Sequence, residues 1–297
     1  MQQTDRAAVI LSATFLSGRA LAASGLSRHR VKLLLAEGEL LRLRNGRYVR
    51  GDVCEGLIRA GRLGGRLDCV SLLAALGIFV RVEHSLHAQF DRGTTRLPPR
   101  PPEVVAHWRP SGSPRSALAS DIVGALAQAC RCQAPRDAIA SLDNAWHRGF
   151  VDEDDIAAIF ARLPRRYRAL RELLDRRSES GPETIMRLML RGLGCDVQVQ
   201  VAITGVGRVD LIVDGWLIVE CDSREFHGGW EAQKRDRARD IAAATLGYTT
   251  IRPIAEDILY RTESVLATMK QVLDNPARLV QSQNSTAPRR RERRRTA

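Results

Sequence analysis

216-WLIVECDSREFH-227 is the stretch on which the fold turns. An apolar strand, Trp216 to Val219, runs straight into Glu220 and Asp222. Side chains on a strand alternate, so residues two apart share a face. Glu220 and Asp222 therefore point one way and Cys221 the other. Like charges on one face repel, and desolvating them is costly without a partner. A bound cation is one remedy; a salt bridge to nearby arginines is the other.

Upstream, 208-RVDLIV-213 is a second strand with Asp210 inside an apolar run, and Asp214-Gly215 turns it into the first. Before it, 196-DVQVQVAI-203 alternates cleanly, with Gln198 and Gln200 either lining a cleft or facing solvent. Ser180 to Glu183 fits the S-x-x-E capping box, opening a helix to about Leu190 that ends at Gly192 or Gly194. Downstream come a basic helix, 231-EAQKRDRARDIAAATLG-247, a strand, 248-YTTIR-252, and a helix over roughly 255–273. The order is α-β-β-β-α-β-α.

Mg²⁺ or Mn²⁺ would suit this set, since a hard cation takes carboxylate oxygens and water. Glu183, Asp210 and Glu220 are the candidate ligands, with Asp222 a fourth. Hairpin geometry tests the idea. A two-residue turn at Asp214-Gly215 would put Asp210 and Glu220 on opposite faces. A three-residue loop, Val213-Asp214-Gly215, would pair Ile212 with Trp216 and make Glu220 the diagonal neighbour of Asp210. The site requires an odd loop or a bulge. Each residue also has a plainer reading. Glu183 caps its helix; Glu220 and Asp222 pair with Arg235 and Arg239; His227 is a loop histidine; Lys234, Arg235, Arg237 and Arg239 solvate a helix face.

The first fifty residues read as a compact unit. A helix spans about Arg6 to Phe15. Ser17 caps a short helix ended by Gly25, and Ser27 caps 28-RHRVKLLLAEG-38, with Gly38 as its stop. Asn45-Gly46 joins 39-ELLRLR-44 to 47-RYVRG-51 as a hairpin. Three helices and a hairpin are the order of a winged helix-turn-helix. Arg28, His29, Arg30 and Lys32 open its third helix, which enters the major groove in such folds, and Arg42, Arg44 and Arg47 decorate the wing. The alternative is a helical unit with a solvated basic face.

The middle is less legible. A helix is expected over Asp68 to Leu76 and a strand over 78-IFVRV-82. His84 and His87 have a spacing that suits a metal but no third ligand in view, so they read as surface or structural histidines. Residues 97–104 are Pro-rich and extended, 110–116 a linker, and 117–177 helical with breaks near 133–135, Gly149 and Pro164. The expected divisions are 1–51 (winged helix-turn-helix), 52–112 (small α+β extension), 113–178 (helical connector), 179–275 (α/β mixed-sheet domain) and 276–297 (an Arg-rich tail without a fold).

Composition sets the bounds. The 297 residues carry a formal charge of +12. The tail 288-PRRRERRRTA-297 supplies +5 of this, leaving +7 on the rest. That favours a polyanion, most simply nucleic acid, over an Arg-rich style of sequence without a partner. Aromatics make up 5 % of the chain, few for stacking single-stranded RNA. No apolar run suits a membrane span, and residues 1–12 lack a signal-peptide pattern. The expectation is a cytoplasmic protein, free or nucleoid-bound, without a small-molecule cofactor. The six cysteines show no paired CxxC and no Cys/His zinc spacing, and read as free buried thiols.

Together, 209-VD-210, 218-IVECD-222, His227, 235-RDRARD-240, 246-LGY-248 and 251-IR-252 resemble the very-short-patch-repair-like endonucleases of the PD-(D/E)XK superfamily, over about residues 180–275. Residues 1–51 resemble the winged helix of AbiEi-type antitoxins. The resemblance implies a restriction-endonuclease-like fold with Asp210 and Glu220 as metal-binding acids, Glu183 as supporting acid, and His227 near the attacking water or scissile phosphate. Arg239 and Asp240 would form a helix-borne shell, Lys234 and Arg235 would touch DNA, and cleavage would leave a 5′-phosphate and a 3′-hydroxyl. Two departures stand out. Asp222 replaces the superfamily's lysine, and Ser223 replaces the family's glycine. The expected function is a metal-dependent DNA endonuclease; the alternative is a non-catalytic, antitoxin-type DNA-binding regulator with a degenerate nuclease fold.

Overall fold

The computed structural model describes residues 3–221 and 230–275, without the side chains of residues 3, 4 and 231–233. It is a mixed α/β structure in which three sheets are joined by helices.

The N-terminal elements follow their caps. Helix α1 (Gln3–Ser12) and strand β1 (Leu16–Ser17) precede α2 (Gly18–Ala23), whose first turn is closed by Ser17 Oγ accepting from the Ala20 amide at 3.0 Å. Ser27 does the same for α3 (Arg28–Ala36), accepting from Arg30 N at 3.2 Å. Strands β2 (Leu40–Arg44) and β3 (Arg47–Arg50) form the expected hairpin about Asn45-Gly46, and β1 adds to it in the order β1-β3-β2.

The middle departs from expectation. After α4 (Glu55–Leu63), β4 (Arg66–Leu67) and α5 (Cys69–Ala75), residues 78–82 form no strand. There Asn144 Oδ1 accepts from Phe79 N at 2.9 Å and Ser141 Oγ donates to Phe79 O at 2.8 Å, so side chains of a later helix stand in for a strand neighbour. The strands are instead β5 (Leu86–Phe90) and β6 (Val104–Trp108), parallel to each other, with β4 antiparallel on β5. Helices α6 (Ile122–Cys132), α7 (Pro135–His147), α8 (Glu153–Ala161) and the short α9 (Arg168–Arg171) follow. One buried cluster runs from Ala7 and Ile10 through Leu43, Leu72 and Phe90 to Leu126 and Leu163. The boundaries drawn at 51 and 112 fall inside it, so these segments share a core.

The C-terminal order is α10 (Gly181–Gly192), β7 (Val197–Ile203), β8 (Gly207–Val213), β9 (Leu217–Val219), α11 (Trp230–Thr245), β10 (Thr249–Ile251), α12 (Ala255–Tyr260) and α13 (Thr262–Leu273). The last expected helix is split at Arg261, where φ −123° and ψ 36° leave the helical region. The sheet order is β10-β9-β8-β7; β9 and β10 run parallel because α11 carries the chain back between them. One apolar layer packs α10, α12 and α13 on the sheet, and another packs α11.

Helix α7 joins the two parts. Asp143 and Arg187, both wholly buried, pair at 2.6 Å, and Thr184 Oγ1 and the Asp175 amide also donate to Asp143. Asn144 Nδ2 donates to Glu179 O at 3.0 Å, just before α10 begins. A Cβ at Gly181 would overlap the Phe79 ring, so only glycine allows this approach.

Candidate active site

The β8–β9 hairpin decides whether the acids meet. Val213 pairs with Leu217, Ile212 with Ile218 and Leu211 with Val219. The loop is therefore Asp214-Gly215-Trp216. It has the required odd length but sits one residue later than expected, because Asp214 (φ 49°) as well as Gly215 (φ 72°) takes the left-handed conformation. The register, continued by one residue, sets Asp210 opposite Glu220, closer than the diagonal arrangement expected.

A second irregularity aims Asp210. In β7 and β8, register pairs form on both sides of Gln200 and Asp210 but not between them. Val199 and Leu211 pack in the α10 layer, while Val201 and Val209 pack in the α11 layer. Residues two apart thus lie on different faces, and strict alternation breaks at this level. Gln200 absorbs the break with φ 52°, rare for a non-glycine residue. Its amide nitrogen then lies 2.9 Å from Glu183 Oε2 and 3.3 Å from Asp210 Oδ1. Gln200 is thus half-buried and bonded to both acids rather than facing solvent, whereas Gln198 is exposed.

Glu183 is buried, and its N–H donates to the Ser180 cap at 3.3 Å. Its carboxylate accepts from the Glu179 amide at 2.9 Å and reaches Gln200, so it does more than cap. Asp210 Oδ2 accepts from Cys221 N at 2.9 Å. Burial, then the charges of Glu183 and Glu220, push the Asp210 carboxyl up to about 6, against the hydrogen bonds from Cys221 and Gln200. Like charges thus converge on one partly buried spot.

Glu220 is held differently. Oε1 accepts from Arg239 at 2.9 Å and Oε2 from Arg252 at 2.9 Å. Arg239 also donates to the carbonyls of Val206 and Arg208, and Arg252 makes a double contact with Asp240 at 2.7 and 2.6 Å. The salt bridge considered for Glu220 forms, with Arg239 and with Arg252 rather than Arg235 as the second cation, and Asp240 is tied in through Arg252. Arg252 escapes sequence reading as a site residue, although it closes the 251-IR-252 motif.

A hard divalent ion fits Asp210 and Glu183, two partly or wholly buried carboxylates around a neutral amide; at Glu220 it would compete with two guanidiniums. Among the described residues, the one group of three or more His, Cys, Asp or Glu ligand atoms within 4.8 Å of each other is Cys69, His87, His107 and Cys132. Glu183, Asp210 and Glu220 do not form such a group. The Cys/His group supplies the co-ligands that sequence spacing did not show for His87. All six cysteines are free, as expected, but of the two in this group Cys69 is buried and Cys132 exposed. Asp222, Ser223 and His227, like the tail, lie outside the described residues.

Toward the N-terminus, Arg28, His29, Arg30 and Lys32 are all exposed on α3, and among the described residues no carboxylate pairs with them. All three wing arginines are engaged, Arg42 donating to Asn45 Oδ1 at 2.8 Å. Arg44 donates to Arg96 O at 2.6 Å, and Arg47 lies 4.5 Å over the Phe15 ring. Both line a hollow of about 490 Å³ with Arg66, Arg92 and Arg115. On α11, Lys234 and Arg235 are exposed, and Lys234 sits 5.5 Å from the Trp230 ring. No described helix is long and apolar enough to cross a membrane. No family model matches the chain, and no curated protein matches it.

Proposed function

We propose that the chain is a metal-dependent DNA endonuclease, with Glu183, Asp210 and Glu220 as its acids and the α1–β3 unit as its duplex-docking module. The observation that carries this is Asp210 at the break in the β7–β8 ladder, bridged to Glu183 through Gln200 and pushed up to about 6 by burial and by the charges of Glu183 and Glu220. A carboxylate kept in such company is stabilised by a cation.

When bound, Mg²⁺ or Mn²⁺ would polarise a phosphodiester and ease deprotonation of water. The chain's own groups do the rest. Asp210 and Glu183 provide the anionic oxygens, Gln200 orients both, and Cys221 N fixes Asp210 at the end of β9. Arg239 and Arg252 hold Glu220 and present positive charge beside the acids, where a phosphate would lie. Exposed Arg28, Arg30 and Lys32 on α3, with the three-stranded β1-β3-β2 sheet behind them, support phosphate contacts along a duplex as in winged helix-turn-helix modules.

A second reading rests on one observation: both oxygens of Glu220 are taken by guanidiniums. On that reading the chain is a non-catalytic DNA-binding regulator of antitoxin type. Supercoiled plasmid incubated with Mg²⁺ separates the two. The endonuclease reading predicts nicked or linear product from the wild type and none from Asp210→Asn. If both proteins retain the plasmid and neither cuts it, the regulator reading holds.

A further inference from the structure

Cys69 opens α5, His87 lies in β5, His107 in β6, and Cys132 ends α6. Four separate elements deliver two sulfurs and two imidazole nitrogens to one point, every pair of ligand atoms within 4.8 Å. We infer that these four side chains form a structural transition-metal site, with zinc(II) the ion their donors select.

The distances match the ion. With Zn–S near 2.3 Å and Zn–N near 2.0–2.1 Å, a tetrahedron has edges of about 3.3 Å (N···N), about 3.6 Å (S···N) and about 3.8 Å (S···S). His87 Nδ1 and His107 Nε2 are 3.1 Å apart, and Cys132 Sγ is 4.0 Å from His107 Nε2. A lone imidazole–imidazole hydrogen bond would account for the first distance. It would not account for two thiols arriving at the same point, one of them from Cys69 at a left-handed φ of 53°.

The surroundings fix the donors. His87 and His107 share a face of the β5–β6 pair, since Ala88 pairs with Ala106 and Gln89 with His107. Ser71 Oγ accepts from His87 N at 3.0 Å and donates to Ser85 O at 3.1 Å, tying β5 to α5. Buried Asp68, one residue before Cys69, is gripped by Arg109 and Ser120, each at 2.5 Å. Cys69 is buried and Cys132 exposed, so an ion has a path in from the Cys132 side. Thiolate and imidazole together favour zinc over Mg²⁺ or Ca²⁺. Four protein ligands fill the tetrahedron and leave no open position for water, so the role is to clamp the ends of α5 and α6 to the sheet rather than to hydrolyse. This inference does not depend on the nuclease reading.

The test uses the full chain. Zinc is measured in protein purified without chelator, the ion is removed, and cobalt(II) is added in its place. The expected result is about one zinc per chain, a thiolate-to-cobalt charge-transfer band with intense tetrahedral d–d bands, and a lower melting temperature on chelation. Cys132→Ser should weaken affinity at least ~100-fold and diminish the thiolate band. Asp210→Asn should leave that band intact, which separates this site from the acids. A cobalt spectrum of the wild type without thiolate charge transfer would overturn the inference. So would protein that retains no zinc and melts identically with and without chelator.

Discussion

The side-chain amide of Gln200 donates to Asp210 Oδ1 at 3.3 Å, at the one level of the β7–β8 ladder where no register pair forms. The same amide nitrogen is 2.9 Å from Glu183 Oε2, so one neutral donor holds two carboxylates together. Gln200→Ala should remove that bridge and leave the acids facing each other unscreened. Hydrogen bonds to charged groups contribute about 1.5–3 kcal/mol, so the variant should lose about that much in urea denaturation without divalent ions. A loss within error would mean that the amide is incidental.

Asp210 sets a pH dependence. Its carboxyl, raised to about 6, binds its proton more tightly in the folded chain than in the unfolded one. Between the ordinary carboxylate range and about pH 6 the folded state therefore holds more protons, and stability falls as pH rises. Asp210→Asn escapes this. It should be more stable than the wild type at pH 8, by on the order of 1–3 kcal/mol, and nearly equal to it at pH 3.5. Urea midpoints at the two pH values check this; a variant less stable at pH 8 would contradict it.

Arg252 and Arg239 pair with Glu220, so a divalent ion beside it competes with two guanidiniums. Arg252→Gln removes a positive charge beside the acids, so Mg²⁺ should bind more tightly, by a few-fold to about tenfold for about 1 kcal/mol of relieved repulsion. The same change leaves Asp240 without its double contact and should lower stability. Calorimetric titration of both proteins with Mg²⁺ tests this; equal affinity in the two proteins would place the cation away from Glu220.

The buried pair of Asp143 and Arg187 joins α7 to α10 and so positions Glu183. Arg187→Met should cost about 3–5 kcal/mol by stranding a buried carboxylate, and Asp143→Leu added to it should recover much of the loss. A double variant no better than the single one would show that the pair's hydrogen bonds, rather than charge, hold the helices.

On α3, Arg28→Ala with Arg30→Ala should weaken duplex binding and make the salt dependence of log K shallower by about 1 for each phosphate no longer neutralised. Fluorescence anisotropy over a salt series measures the slope. An unchanged slope would remove α3 from the docking surface.

Local chemistry explains what can be read in the sequence. Ser17, Ser27, Gly25, Gly38 and Asn45-Gly46 each act within a few residues, so α2, α3 and the β2–β3 hairpin are legible. Strand β7 is legible by alternation, and β8 and β9 by their short apolar runs. The β8–β9 loop lies one residue from its expected place because Asp214, like Gly215, adopts a positive φ. Residues 78–82 look like a strand in composition, but Asn144 and Ser141 satisfy the backbone at Phe79. The Cys/His group is illegible because its ligands lie on four distant elements, with no spacing to betray them. Gln200 is visible without its role, since a break in pleat shows only when two apolar layers can be compared. Arg252 stays hidden because its partners, Glu220 and Asp240, lie far along the chain.

The endonuclease reading rests on Glu183 and Asp210 holding a divalent ion beside Glu220. Crystals soaked in Mn²⁺ and measured at the manganese absorption edge would locate that ion. The expected outcome is an anomalous peak within bonding distance of Asp210 and Glu183, absent from Asp210→Asn. A map without density there, with Glu220 still held by Arg239 and Arg252, would refute the metal site.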